Sequence, residues 1–183
     1  MLFGTVSGVV QHPTDPTRKA ITSLRFTKLR PSMRLGLAFQ LAAATLTETE
    51  TTWEATLVCR AESVDKKQRD KLEKYSKSAH LQLVGDSPEL RAAAARRLLA
   101  MAAELAHQAY NTVVPYLDRC SHAVGTGRSA SDVKSRFERD TKYDLYAKQF
   151  WDDTDQLDFR RITLDLATEV WGTYTACIEE VLS

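Results

Sequence analysis

Glu104 and His107 stand three residues apart. On a helix that spacing sets a carboxylate and an imidazole on one face, where they can work as an acid–base couple. The same pair serves equally as a satisfied polar spot at a helix interface, and nothing around it completes a catalytic set. His12, His80, His107 and His122 show no H-E-x-x-H arrangement, and no G-x-S-x-G elbow occurs. Cys120 and His122 are two apart, which points them to different helix faces and argues against a thiolate–imidazole couple. A small hydrolase or transferase built on Glu104 and His107 is the weakest of three functional readings.

Asp152, Asp153, Asp155 and Asp158 have the residue type of a calcium loop without its spacing. Counted from Asp153, the sixth position is Asp158 where glycine is required, and the twelfth is Leu164 where glutamate is required. Helix capping by Asp152, Asp153 or Thr154 accounts for them. The run GTGRSAS, Gly125 to Ser131, has the ingredients of an anion-holding nest around Arg128. It lacks the third glycine of a dinucleotide fingerprint and follows a helix rather than a strand, so it reads as an interhelix linker. The expectation is a protein that is not an enzyme, with no metal and no cofactor.

Cations that outnumber their neighbouring acids are the stronger signal. Arg18, Lys19, Arg25, Lys28, Arg30 and Arg34 fall in one segment, and Lys66, Lys67, Arg69, Lys71, Lys74 and Lys77 in another. Clustered positive side chains attract a phosphate backbone and release its counterions, with no reading of bases required. Phe26, Trp53 and Tyr75 are available as aromatic platforms for bases. The expected phosphate contacts, to RNA or DNA, are Arg25, Lys28, Arg30, Arg34, Lys66, Lys67, Arg69 and Lys71. Taken alone, the 66–77 run is what a solvated helix face also looks like.

The formal net charge of +1 hides a segregation along the chain. Residues 1–44 carry +5, residues 45–65 carry −4, residues 66–77 carry +4, residues 78–148 carry +2 and residues 149–183 carry −6. A basic surface and an acidic one are complementary between identical copies, which suits self-assembly or a protein partner. The resulting expectation is a non-enzymatic subunit of a macromolecular assembly that binds nucleic-acid backbone through basic patches and partner subunits through acidic and apolar helical surfaces. The alternative is a helical protein-binding adaptor or regulator with no nucleic-acid ligand, using a groove at Trp171, Tyr174 and Ile178.

The elements that must position these residues change character at Asp65. Before it the signals are strand-like: LFGTVSGVV, then AITSLRFTKL after a two-proline turn, then TWEATLVCRAE with Trp53, Ala55, Leu57 and Cys59 alternating. RLGLAFQLAAATLTE, residues 34–48, is undecided between strand and helix, because its leucines alternate while its alanines favour a helix. From Asp65 the period becomes 3.6. A surface helix is expected across VDKKQRDKLEKYSKSAHLQLV, and a central helix opens at Ser87 as N-cap, Pro88 and Glu89, with Pro115 to kink it. A helix follows from Ser131 and Asp132 to about Trp151, and a last one runs to about Val181. The fold class is α+β: a small N-terminal antiparallel β layer (about 1–62) followed by a predominantly α-helical bundle (about 65–182). One domain spans 1–183, with a β-rich basic region at 1–62 and a helical region at 63–183.

At 183 residues the chain is long enough for one core. Cys59, Cys120 and Cys177 are odd in number and far apart, which suits buried thiols in a reducing, cytoplasmic compartment rather than a disulfide framework. Apolar stretches are broken by charge well short of the ~18 residues a membrane span needs. The acid-poor start resembles a transit peptide in composition, but Gly4, Gly8, Pro13, Pro16 and Pro31 would break its helix.

Overall fold

The structure, a computed structural model, describes residues 6–60, 76–111, 117–142 and 156–183, with side chains of the last segment from 164 onward. The fold is α+β. The chain divides into two compact units, Met1–Ala103 with Thr175–Ser183, and Glu104–Tyr174.

The first unit holds the sheet. β1 (Val9–Gln11) and β2 (Arg18–Lys28) form an antiparallel hairpin, in whose turn Asp15 accepts from the backbone N–H of Thr17 at 2.9 Å. α1 (Pro31–Thr47) leads to β3 (Thr52–Arg60), which runs parallel to β2 with Ile21 opposite Ala55. β4 (Ser76–Leu83) pairs antiparallel with β3, and β5 (Ile178–Leu182) antiparallel with β4. The strand order is therefore β1-β2-β3-β4-β5.

Three sequence expectations are corrected here. The β layer is mixed rather than antiparallel, because a parallel β2–β3 pair needs a crossover element and α1 supplies it. That settles residues 31–47 as helix. Pro31 takes the first helical position, where its fixed φ is favourable, and Leu35, Ala38, Leu41, Ala42 and Thr45 bury one face at spacings of three and four. Second, residues 76–83 are a strand, where a surface helix was expected. Ala79, Leu81 and Leu83 point inward between outward Ser78, His80 and Gln82, a period of two that the lysine-rich residues before it had masked. Third, the last helix stops at Cys177. The chain then turns extended so that Ile178–Leu182 completes the ladder on β4, backbone pairing overriding the helical period.

The core of this unit lies between α1 and one sheet face. Ile21, Leu41, Leu57, Leu81 and Leu98 are fully buried, with Trp53 and Cys59 nearly so. α2 (Pro88–Asn111) opens as its sequence implies, with Ser87 Oγ accepting from the N–H of Leu90 at 3.3 Å.

The second unit is helical. α3 (Asp118–Gly125) and α4 (Ala130–Thr141) share a small core of Cys120, Ala123 and Val133, flanked by Leu117, Val124 and Phe137. Asp140 Oδ2 accepts from the N–H groups of Arg119 and Cys120 at 2.9 and 3.0 Å, which satisfies two donors at the start of α3. Ser129 caps α4, so GTGRSAS is the linker it reads as. α5 (Gln156–Cys177) passes close to α3: a Cβ on Gly125 would come within 2.3 Å of the Ala167 carbonyl oxygen. The rings of His122 and Trp171 meet in a T-shaped contact, 4.5 Å between centroids. Asp152, Asp153, Asp155 and Pro115 lie outside the described residues, as does the expected extension of α4 beyond Lys142.

Candidate nucleic-acid interface

The cations sort into two groups once their partners are known. Arg18 bonds Glu54 at 2.7 Å and Lys19 bonds Glu48 at 2.6 Å. Arg34, on α1, is held by Glu180 of β5 through two parallel hydrogen bonds, with 14% and 11% of the two side chains left exposed. Arg34 therefore leaves the set of phosphate contacts: its guanidinium is already matched to a carboxylate and covered. Arg25, Lys28 and Arg30 are exposed and have no carboxylate partner among the described residues. Lys66, Lys67, Arg69 and Lys71 lie outside the described residues; the residues flanking that segment here, Arg60 and Ser76, pair across β3 and β4.

The register brings the free cations together. Arg25 stands opposite Cys59, and Cys59 opposite Lys77; Lys28 stands opposite Arg60. Neighbouring strands are only ~4.8 Å apart, so Arg25 and Lys77, on the sheet face of Cys59, and Lys28 and Arg60, on the opposite face, share one end of a three-stranded strip, with Arg30 just beyond β2. Glu54 is the only acid on β2, β3 and β4. It lies six residues back from Arg60 along β3, roughly 20 Å at strand rise, and is bonded to Arg18. Among the described residues of β2, β3 and β4, the clustered end is therefore positive with no acid beside it. Arg60 escaped the sequence reading because its segment is acidic on average. Its place at the end of an alternating strand was the available signal.

Between β2 and β3 at that end lies an open hollow of about 250 Å³, lined by Leu24, Arg25, Phe26, Val58, Cys59 and Arg60. The pairing slips there. Three steps along β2, from Arg25 to Lys28, match one step on β3, from Cys59 to Arg60, a bulge that leaves Phe26 and Thr27 unpaired. Phe26 is 95% exposed and Leu24 70%. Burial raises the Cys59 thiol above its ordinary range, against a smaller opposing effect of Arg25, so it stays protonated and unreactive at neutral pH. Trp53 is buried, with the Lys19 ammonium 5.5 Å from its ring centroid, and is not a base platform; Tyr75 lies outside the described residues.

The other candidates do not assemble. Glu104 accepts from Gln108 at 2.9 Å, and Asn111 Nδ2 donates to the His107 backbone carbonyl at 2.8 Å; no bond joins Glu104 to His107. Trp171, Tyr174 and Ile178 are buried, so they form no open groove for a partner. All three cysteines are buried and free. Among the described residues no cluster of three metal-ligating side chains occurs, and no helix is long and apolar enough to cross a membrane. No protein-family model, curated protein or solved structure matches the chain.

Proposed function

We propose that the protein is a non-enzymatic subunit of a larger assembly that holds a nucleic-acid strand by its phosphates. The observation that carries this reading is the group Arg25, Lys28, Arg30, Arg60 and Lys77, gathered at one end of the sheet without a carboxylate partner among the described residues. Leaving like charges crowded costs stability unless a polyanion answers them, and a phosphate backbone does so at every nucleotide. Such contacts fix register and carry no sequence information. Exposed Asp165 and Glu169 of α5 are available to a basic surface on a neighbouring subunit.

Affinity for a labelled oligonucleotide, followed across a salt series, tests the reading. Neutralising one phosphate on a single strand contributes about −0.7 to the slope of log K against log salt, so five cations give a slope at least as steep as about −3.5. Each of Arg25→Gln, Lys28→Gln and Arg60→Gln should flatten it by about 0.7. Affinity that does not respond to salt refutes phosphate binding and favours a regulator whose partners are proteins alone. Particle mass before and after nuclease treatment reports the assembly part.

A further inference from the structure

Phe26 occupies an unusual position for a phenylalanine on a strand. The neighbouring face of the sheet could have hidden it, yet the bulge between Arg25 and Lys28 puts it out of the ladder and into solvent at 95% exposure. Bulges re-aim side chains in this way, and they gather near binding sites. Beside the ring lie Leu24, also exposed, and the hollow that Val58 and Cys59 help line. Arg25 and Arg60 line the same hollow, one from each strand.

The occupant has to satisfy three features at once: a flat apolar ring, a shallow apolar hollow and cations on either side. A nucleotide has a planar apolar face and an anionic phosphate within one residue, which fits all three. A base face is free only where the strand is unpaired, because in a duplex both faces are covered by stacking. A second copy docked by the same patch would set Arg25 and Arg60 against their own equivalents, since a two-fold contact brings a surface onto itself. Resting on the phosphate-binding reading, we propose that Phe26 is the stacking platform for one base of a single-stranded nucleic acid, with Arg25 and Arg60 holding the phosphates that flank it.

Fluorescence anisotropy with a short fluorescein-labelled oligouridylate, and with a blunt RNA duplex of the same length, tests this. Wild-type protein should prefer the single strand. Phe26→Ala should weaken binding of the oligouridylate by about 5- to 150-fold, as losing one stacked base does, while duplex affinity and the salt slope stay unchanged. Phe26→Trp should retain the preference. Because the ring is outside the core, the thermal midpoint of Phe26→Ala should match the parent, and a measured match separates lost stacking from lost folding. Equal binding of the two RNAs by the wild type, or no loss in Phe26→Ala with the salt slope intact, overturns the stacking proposal and leaves the phosphate reading standing. Absence of any salt-dependent binding removes both. If the wild type is a dimer without RNA and Phe26→Ala is a monomer, a second copy covers the patch and the proposal fails.

Discussion

The Arg34–Glu180 pair ties α1 to β5 through two residues 146 apart in sequence. Replacing Glu180 by Gln keeps the shape of the side chain and removes its charge, leaving the guanidinium of Arg34 in a place where only 14% of that side chain meets water. Exposed pairs are worth roughly 0.2–1 kcal/mol, whereas breaking a fully buried pair costs about 3–5 kcal/mol, because the surviving charge has no solvent to return to. With the small remaining solvent contact allowed for, Glu180→Gln should cost about 2–3 kcal/mol. For a chain of this size, 1 kcal/mol moves the midpoint about 2–4 °C, so calorimetry should show a fall of roughly 4–12 °C. Amide exchange should speed up first along β5 and the facing residues of β4. The double variant Arg34→Met/Glu180→Leu should recover part of the loss, since it removes the guanidinium together with the carboxylate it is matched to. It should also bind oligonucleotide with the parental salt slope, because Arg34 contributes no phosphate contact. A midpoint within about 1 °C of the parent for Glu180→Gln, or a double variant no better than the single, would refute the covered geometry on which this rests.

Two further outcomes follow from single contacts. The Lys19 ammonium bonded to Glu48, and the hydroxyls of Thr17 at Asp15 and Ser87 at Glu89, hold these three carboxyls below their ordinary range. Their folded values lie under their unfolded ones, so the stabilisation is complete above pH of about 4 and is lost as pH falls through the lower, folded values. Thermal midpoints should thus be level near neutrality and decline in acid, and Glu48→Gln should make that decline shallower. Gly125→Ala would press a methyl group against the Ala167 carbonyl and, at 2.7 Å, the Trp171 ring. A cost of about 3 kcal/mol, visible as a lower midpoint and faster amide exchange in α3, is expected; a neutral substitution would show that the two helices can separate freely.

Much of the fold was legible where one period ruled a whole element. TWEATLVCR alternates along its entire length and is β3; Ser87, Pro88 and Glu89 announce α2 and begin it. Legibility failed where two signals overlapped. Leu35, Leu37, Phe39 and Leu41 alternate inside what is a helix, and the choice was made by β2 and β3 lying parallel, which is a tertiary fact. Ser76–Leu83 alternates over eight residues but follows a lysine-rich run that reads with the opposite period. Of the candidate site, Arg25, Lys28 and Arg30 were visible from charge alone. Arg34 could not be told from them, because its partner Glu180 arrives from a distant segment. Phe26 was visible as an aromatic, but its exposure depends on a bulge, which is a property of two strands together and is written in neither.

β5 belongs to a sheet whose other strands are all specified before residue 84, and residues 84–177 are made in between. At about 5–20 residues per second, a ribosome takes roughly 5–20 s to cross that interval. Throughout it, the outer edge of β4 offers its peptide groups to any extended segment that comes near, with Ala79, Leu81 and Leu83 still lacking part of their cover. The nascent chain is thus open to mispairing for as long as its helical insert takes to emerge, and the window closes once Ile178–Leu182 docks.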